Sequence, residues 1–259
     1  MNNNARHSIC DIISNNEIMP GVFLMWIKAP EIADAAKPGQ FIMMHCGGKT
    51  LLRRPISIHR TDGSKLAVLY AESGAGTQWL SKQKEQASID ILGPLGNGYM
   101  IKEDAKNLLL IAGGMGIAPL AFLAQSAIAE SKRITLLLGA QKADTLFPDS
   151  LLPSDIKCIV TTDDGSAGIK GRTTDLLPSY LGEADQVFAC GPAPMYRTMY
   201  KNNLLNNKPC QVSLEVRMAC GMGVCYGCTI KTQNGLKQVC HDGPVFEFDD
   251  VLWDELVDI

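Results

Sequence analysis

Leu110-Ile111-Ala112-Gly113-Gly114-Met115-Gly116-Ile117-Ala118-Pro119 runs from an apolar stretch through three glycines into helix-prone sequence. The order predicts strand, tight turn, helix. Glycines there let the backbone approach an anionic group, whose charge would face the helix N-terminus. Pro119 is tolerated in a first helical turn. It also stands where G-x-G-x-x-G would place its last glycine, so the stretch departs from the standard dinucleotide fingerprint.

Apolar runs at residues 108–112, 134–138, 158–161 and 187–190 lack the alternation of half-exposed strands and predict strands buried on both faces. An apolar helical stretch at 117–131 separates the first two. Strand and helix alternating in this way predict a parallel sheet with crossover helices, hence a nucleotide-binding α/β domain over 103–212. A second loop, Cys190-Gly191-Pro192-Ala193-Pro194-Met195, follows another of these strands. Loops at the carboxyl ends of parallel strands are where such sheets bind ligands.

Upstream, over 1–102, the rhythm is different. Short β-prone runs at 21–28, 40–45, 55–59, 66–71 and 87–92 are punctuated by Pro38-Gly39, Gly47-Gly48 and Asp62-Gly63. They predict a small antiparallel β-barrel, interrupted by one helix near 77–84. Arg53-Arg54-Pro55-Ile56-Ser57-Ile58 puts a guanidinium and a hydroxyl on one extended segment. Arg54 offers forked donors to a diphosphate, and Ser57 can donate to a phosphate or a flavin edge. Ser73-Gly74-Ala75-Gly76-Thr77 opens the helix, a candidate anion loop with Thr77 as the expected cap.

Downstream, over 213–259, Cys220, Cys225, Cys228 and Cys240 form C-x4-C-x2-C-x11-C. That spacing matches the plant-type pattern for a [2Fe-2S] cluster. Structural zinc is the alternative, although its knuckles usually come as two symmetric C-x2-4-C pairs. Buried small hydrophobes would explain the isolated Cys10, Cys46, Cys158 and Cys210. Gly221, Gly223 and Gly227 let backbone N–H groups approach cluster sulfurs, and Met218, Met222 and Val224 are expected to exclude water. So small a segment predicts that metal supplies much of its folding energy. Residues 249–259 suggest a short surface helix with Val251, Leu252 and Leu256 as its packed stripe.

With 259 residues, 46% of them hydrophobic, the chain can bury a core of one to three domains. A net charge of −3 gives no basic footprint, so nucleic acid is not an expected partner. The longest apolar runs, at 108–112 and 117–124, fall short of the roughly 18 to 20 residues a membrane helix needs. Residues 1–21 lack the charged start and apolar core of a signal peptide, so a reducing cytoplasm is expected. Residues 1–5 are polar and expected to fray.

R-P-x-S, G-x-G-T, G-G-x-G-I-A-P and C-G-P in this order resemble the ferredoxin-NADP reductase family. With the appended cysteine pattern, and with 53–58, 93–98 and 240–246 as its more specific marks, the chain resembles the electron-transfer subunits of NAD-dependent, two-subunit dihydroorotate dehydrogenases. The resemblance spans nearly the whole length. It implies that Arg54, Pro55, Ile56, Ser57, Leu69, Tyr70, Ala71, Gly76 and Thr77 hold FAD, and that Cys220, Cys225, Cys228 and Cys240 ligate [2Fe-2S]. It implies that Gly113, Gly114, Gly116, Cys190, Gly191 and Pro192 receive NAD(H). Nicotinamide gives two electrons as hydride, a cluster takes one at a time, and a flavin can serve both.

The implied partner is an FMN-containing dihydroorotate dehydrogenase catalytic subunit, in an assembly with two copies of each chain. The dihydroorotate chemistry, and any catalytic base for it, would lie in that partner. NADH is expected over NADPH because residues 139–144 contain no arginine for a 2′-phosphate. Two alternatives stay open. One is a flavin and iron-sulfur subunit of another complex, such as a ferredoxin:NADP oxidoreductase or a hydrogenase diaphorase. The other is a zinc-bearing scaffold that has lost its cofactors.

Overall fold

The computed structural model describes residues 5–48 and 50–256. Six antiparallel strands close into a barrel: β1 (Arg6–Met19), β2 (Val22–Lys28), β3 (Phe41–Met44), β4 (Arg54–Asp62), β5 (Lys65–Ala71) and β6 (Ser88–Leu95), in the order β1-β2-β5-β4-β3-β6. Closure removes the exposed edges that a small open sheet would carry. Helices α1 (Pro30–Ala35) and α2 (Ala75–Ser81) connect its strands. The long β1 was not among the predicted runs, because its sequence is broken by polar residues such as Ser14, Asn15 and Asn16.

The second unit is a seven-stranded sheet. Its strands are β7 (Asn107–Gly113), β8 (Arg133–Ala140), β9 (Ile156–Thr162), β10 (Ile169–Lys170), β11 (Gln186–Cys190), β12 (Cys210–Ser213) and β15 (Val245–Glu247), ordered β10-β9-β8-β7-β11-β12-β15. All neighbours are parallel except β12 and β15. Crossover helices α3 (Ile117–Ala129), α4 (Thr173–Leu181) and α5 (Ala193–Lys201) cover it, and β7, β8 and β11 are buried as their uninterrupted apolar runs predict. The order reverses beside β7, so its carboxyl end is a switch point where such sheets bind ligands.

The C-terminal region corrects two expectations. Hairpin β13 (Thr229–Thr232) and β14 (Gly235–Gln238) leads into the single turn α6 (Val239–Asp242), and β15 then joins the nucleotide sheet. Cys228, Ile230, Val239, Cys240, Phe248, Val251 and Trp253 share one core with Leu109, Ile111, Val187 and Ala189 of that sheet. The region therefore packs into the core of the sheet instead of standing on a small one of its own. Beyond the short 3-10 turn Phe248–Asp250 there is no helix among the described residues. Asp249, Asp250, Asp254 and Glu255 break up the apolar pattern, so Val251, Trp253 and Leu256 pack as separate anchors in extended or turn backbone. Residues 1–4 and 257–259, included in the terminal expectations, lie outside the described residues.

Polar contacts from β4 help seat the barrel on the second unit. His59 Nδ1 donates to the Ala118 carbonyl at 3.0 Å, Gln125 Nε2 to the Thr61 carbonyl at 3.0 Å, and Arg60 to the Leu151 carbonyl.

Candidate functional site

A cavity of about 480 Å³ opens at the carboxyl ends of β7, β8, β9 and β11. That is the size range of small-molecule and cofactor pockets. Gly113, Gly114, Gly116, Gly191 and Pro192 all line it. The two glycine motifs meet because Gly116 has no side chain: a Cβ there would stand 1.8 Å from the Cys190 carbonyl oxygen. Cys190 itself does not line the cavity. Its thiol is fully buried, and burial pushes its pKa well above the ordinary range. Its share in the site is the backbone carbonyl against Gly116.

Other lining groups were not foreseen. Thr161 and Thr174 are buried with hydroxyl oxygens that have no hydrogen-bond partner, so both are available to a ligand. Glu215 lines the cavity with an exposed side chain, and the partial desolvation imposed by its surroundings raises its pKa. Its position just after β12 was the only sequence signal. Arg172 also reaches the cavity, with Nε 3.9 Å from the Asp163 carboxylate. The expectation that no arginine would lie near was drawn from 139–144 alone, whereas the sheet brings in the loop after β10.

The two barrel motifs also converge. A Cβ on Gly76 would lie 2.8 Å from Arg54 Nε, so the arginine packs directly over the helix-opening glycine. Arg53 is occupied elsewhere, paired through both terminal nitrogens with Asp90 at 2.9 Å. Arg54 donates to the Leu52 carbonyl at 2.6 Å and retains other donors. Pro55, Ile56 and Ser57 continue β4 half-buried, which fits a strand with a ligand laid along it.

Thr77 is the third residue of α2 rather than its cap. Its hydroxyl reaches back to accept from the N–H groups of Ser73 at 2.8 Å and Gly74 at 3.2 Å. That bonding holds the loop under Arg54. Leu69 and Tyr70 are buried in the cores, and the Tyr70 hydroxyl donates to Asn15 Oδ1 at 2.9 Å. Only the backbone of these two residues, together with half-buried Ala71, remains to meet a cofactor.

The four cysteines approach one another as two pairs. Cys228 and Cys240 have sulfurs 3.3 Å apart, and Cys225 lies near enough to Cys220 to help lower its pKa. Among the described residues no three His, Cys, Asp or Glu side chains converge as a single-ion site. Two thiolate pairs suit a two-iron cluster, one pair per iron. Backbone N–H groups already point at the sulfurs: Gly223 to Cys240 at 3.2 Å, Met222 and Val224 to Cys220 at 3.4 Å, Cys240 to Cys228 at 3.4 Å, and Gly227 to Cys225 at 3.5 Å. Burial alone would raise Cys220, but the donors from Met222, Cys225 and Val224 outweigh it and hold that thiol at about 6. Burial and neighbouring Cys228 push Cys240 up to about 12, so bound cations are needed to ionise the whole set.

The water shield expected from Met218, Met222 and Val224 is incomplete among the described residues. Met222, Val224 and Tyr226 are exposed, and Met218 is half-buried. Gly221, at φ +72°, lies against Met43, whose Cγ would be 2.6 Å from a Cβ there. Met43 pairs with Pro55 in the barrel. The glycine turn at 114–116 lies against β5, so cavity, arginine strand and cysteine loop are contiguous.

A closed barrel beside a switch-point cavity, with a thiol-lined loop packed on the barrel, defines a flavin reductase of the ferredoxin-NADP reductase type. A ferredoxin NADP+ reductase from Neisseria gonorrhoeae with bound FAD and NADP shares this fold, with a TM-score of 0.65 at 20% identity over 76% of this chain and 90% of that one. Residues 215–252 match the iron-sulfur cluster binding domain of dihydroorotate dehydrogenase B.

The chain belongs to the family of dihydroorotate dehydrogenase B (NAD(+)) electron transfer subunits. It is 38% identical to that subunit from Caldanaerobacter subterraneus subsp. tengcongensis, over 93% of this chain and 97% of the relative. Identity to the subunit from Desulforamulus reducens is 36%, over 92% and 95%. A chain from the structure of NADH-dependent reduced ferredoxin-NADP oxidoreductase, studied for flavin-based electron bifurcation, superposes with a TM-score of 0.87 at 33% identity, over 96% of this chain and 91% of that chain.

Proposed function

We propose that this chain relays electrons from NADH, by way of FAD and a [2Fe-2S] cluster, to an FMN-containing catalytic subunit that interconverts dihydroorotate and orotate. The assembly would hold two copies of each chain and work in the cytoplasm. Among the described residues no helix is long and apolar enough to cross a membrane. The observation that carries the reading is the contiguity of the three sites, with Met43 paired to Pro55 on one side and packed against Gly221 of the cysteine loop on the other. When bound, FAD would take the two-electron hydride and the cluster would give electrons up singly.

The chain's own residues supply binding and orientation. Gly113, Gly114, Gly116, Gly191 and Pro192 admit the dinucleotide close to the backbone, while Thr161 and Thr174 offer free hydroxyls. Arg54 supplies charge to the flavin diphosphate, and Gly76 and Thr77 shape the loop beneath it. Cys220, Cys225, Cys228 and Cys240 hold the iron, with backbone N–H groups directed at their sulfurs. NADH remains the favoured reductant, because Asp163 sits beside Arg172 and its carboxylate would repel a 2′-phosphate.

Exposed Met222, Val224 and Tyr226 surround Cys225 on the outward side of the loop, which suits docking of the catalytic subunit there. The test is copurification with that subunit, followed by an assay of NADH-linked orotate reduction. Activity with NADH and orotate is expected, and its absence in an intact complex would overturn the reading. The likeness to the ferredoxin-NADP oxidoreductase structure favours a second reading, a subunit of a bifurcating complex. That reading predicts a different copurifying partner and no orotate reduction.

A further inference from the structure

The cysteine loop shares its core with the nucleotide sheet, yet both ends of its ligand set are tied to the barrel. At the first end, Gly221 follows Cys220 and packs on Met43, which is fully buried in β3 between Pro55 and Leu92. At the other end, Asn97 reaches across to the residues that follow Cys240. Its side-chain amide donates to the carbonyls of His241 at 3.3 Å and Asp242 at 2.9 Å, and its backbone N–H donates to Gly243 O at 2.6 Å.

Asn97 is itself anchored from behind. The preceding carbonyl, of Gly96, accepts from buried Gln40 Nε2 at 2.8 Å, and Gln40 Oε1 accepts from Lys37 N–H at 2.8 Å. The backbone of Gln40 continues into β4, because Ile58 N–H donates to its carbonyl at 3.0 Å. A line of hydrogen bonds thus joins the Arg54–Ser57 strand to the turn carrying Cys240.

We propose that Asn97 and Met43 are positioning residues that fix the cluster-bearing loop against the flavin barrel and so set the separation of the two redox groups. The proposal rests on the flavin-and-cluster reading above. Asn97 is exposed and supports no core, so its replacement leaves the fold intact. Losing its two side-chain bonds frees the chain after Cys240 without touching a ligand, the Arg54 strand or the dinucleotide cavity.

The full-length purified protein, carrying both chromophores, is reduced with NADH under stopped flow beside N97A and N97D. Flavin bleaching and appearance of the reduced-cluster paramagnetic signal are followed separately. Hydrogen exchange of the backbone amides at 240–243 provides a readout independent of turnover. In N97A, flavin bleaching is expected at the wild-type rate. Exchange at 240–243 should rise about 10-fold for two lost hydrogen bonds, and cluster reduction should slow about 10-fold or more through misplacement.

N97D keeps the shape but sets a carboxylate against two carbonyl oxygens, so it should be more severe than N97A. Wild-type exchange, wild-type cluster reduction, or a milder N97D would each overturn the proposal. Wild-type protein lacking flavin or cluster would instead overturn the reading on which it rests, and the proposal with it.

Discussion

Gly116 lies so close to Cys190 that a methyl group on it would fall 1.8 Å from the Cys190 carbonyl oxygen. This contact brings the two glycine-bearing loops together into one cavity. G116A must push β11 and the glycine turn apart, and backbone cannot yield as a flexible side chain would. Loss of NADH-driven flavin bleaching by at least about 100-fold is expected, in line with the cost of ångström-scale misplacement. Flavin content should stay at the wild-type level, since Arg54 and Gly76 lie on the barrel. Normal NADH kinetics in G116A would contradict this placement of the cofactor.

Glu215 lines the same cavity, its pKa raised by desolvation. The pH profile of NADH oxidation should therefore show an ionisation above the ordinary carboxylate value. E215Q keeps the shape and removes that ionisation, and a carboxylate that contacts the dinucleotide should be felt as a rise in KM for NADH of about 10-fold or more. An unchanged profile would show that the carboxylate takes no part in the dinucleotide site.

His59 is held neutral at the barrel interface, its pKa lowered to about 3 by burial, with a smaller contribution from Arg60. Above the unfolded value of about 6.5 neither state binds a proton, so the group contributes no pH dependence. Below it the unfolded chain takes up a proton that the folded chain refuses. Stability should fall by about 1.4 kcal/mol per pH unit on acidification from about 6.5 towards 3. Urea midpoints at pH 7 and pH 5 test this, and H59Q should flatten the difference. Equal acid sensitivity in H59Q would assign the effect to other groups.

Trp253 is buried against Tyr196 at 5.1 Å and Phe248 at 4.8 Å between ring centroids. The C-terminal region should therefore stay folded without its cluster. C225S is expected to abolish the reduced-cluster signal while leaving far-UV circular dichroism and flavin content unchanged. W253A should cost about 3 to 5 kcal/mol with all four cysteines present. The opposite ranking in thermal melts would return the folding energy of this region to the metal.

Much of the architecture was legible because it rests on local pattern. Uninterrupted apolar runs marked β7, β8 and β11, the glycines between residues 113 and 116 marked the turn, and cysteine spacing marked the thiol loop. What escaped depends on contacts distant in sequence. Arg172 enters the cavity because β10 lies beside β9 and β9 beside β8, and Glu215 because β12 lies beside β11. Tyr70 reads like any strand aromatic until Asn15 is seen to hold its hydroxyl. The C-terminal segment looked too small for a core because its core belongs to the neighbouring sheet.

The central claim is that this one chain connects NADH to a one-electron outlet through adjoining sites. Anaerobic titration of the purified protein with NADH, monitored by visible absorption and electron paramagnetic resonance, tests it most directly. Flavin bleaching followed by a singly reduced [2Fe-2S] signal is predicted, with only the second event lost in C225S. A colourless protein, a zinc content of one per chain without iron, or flavin reduction that never reaches the cluster would contradict it.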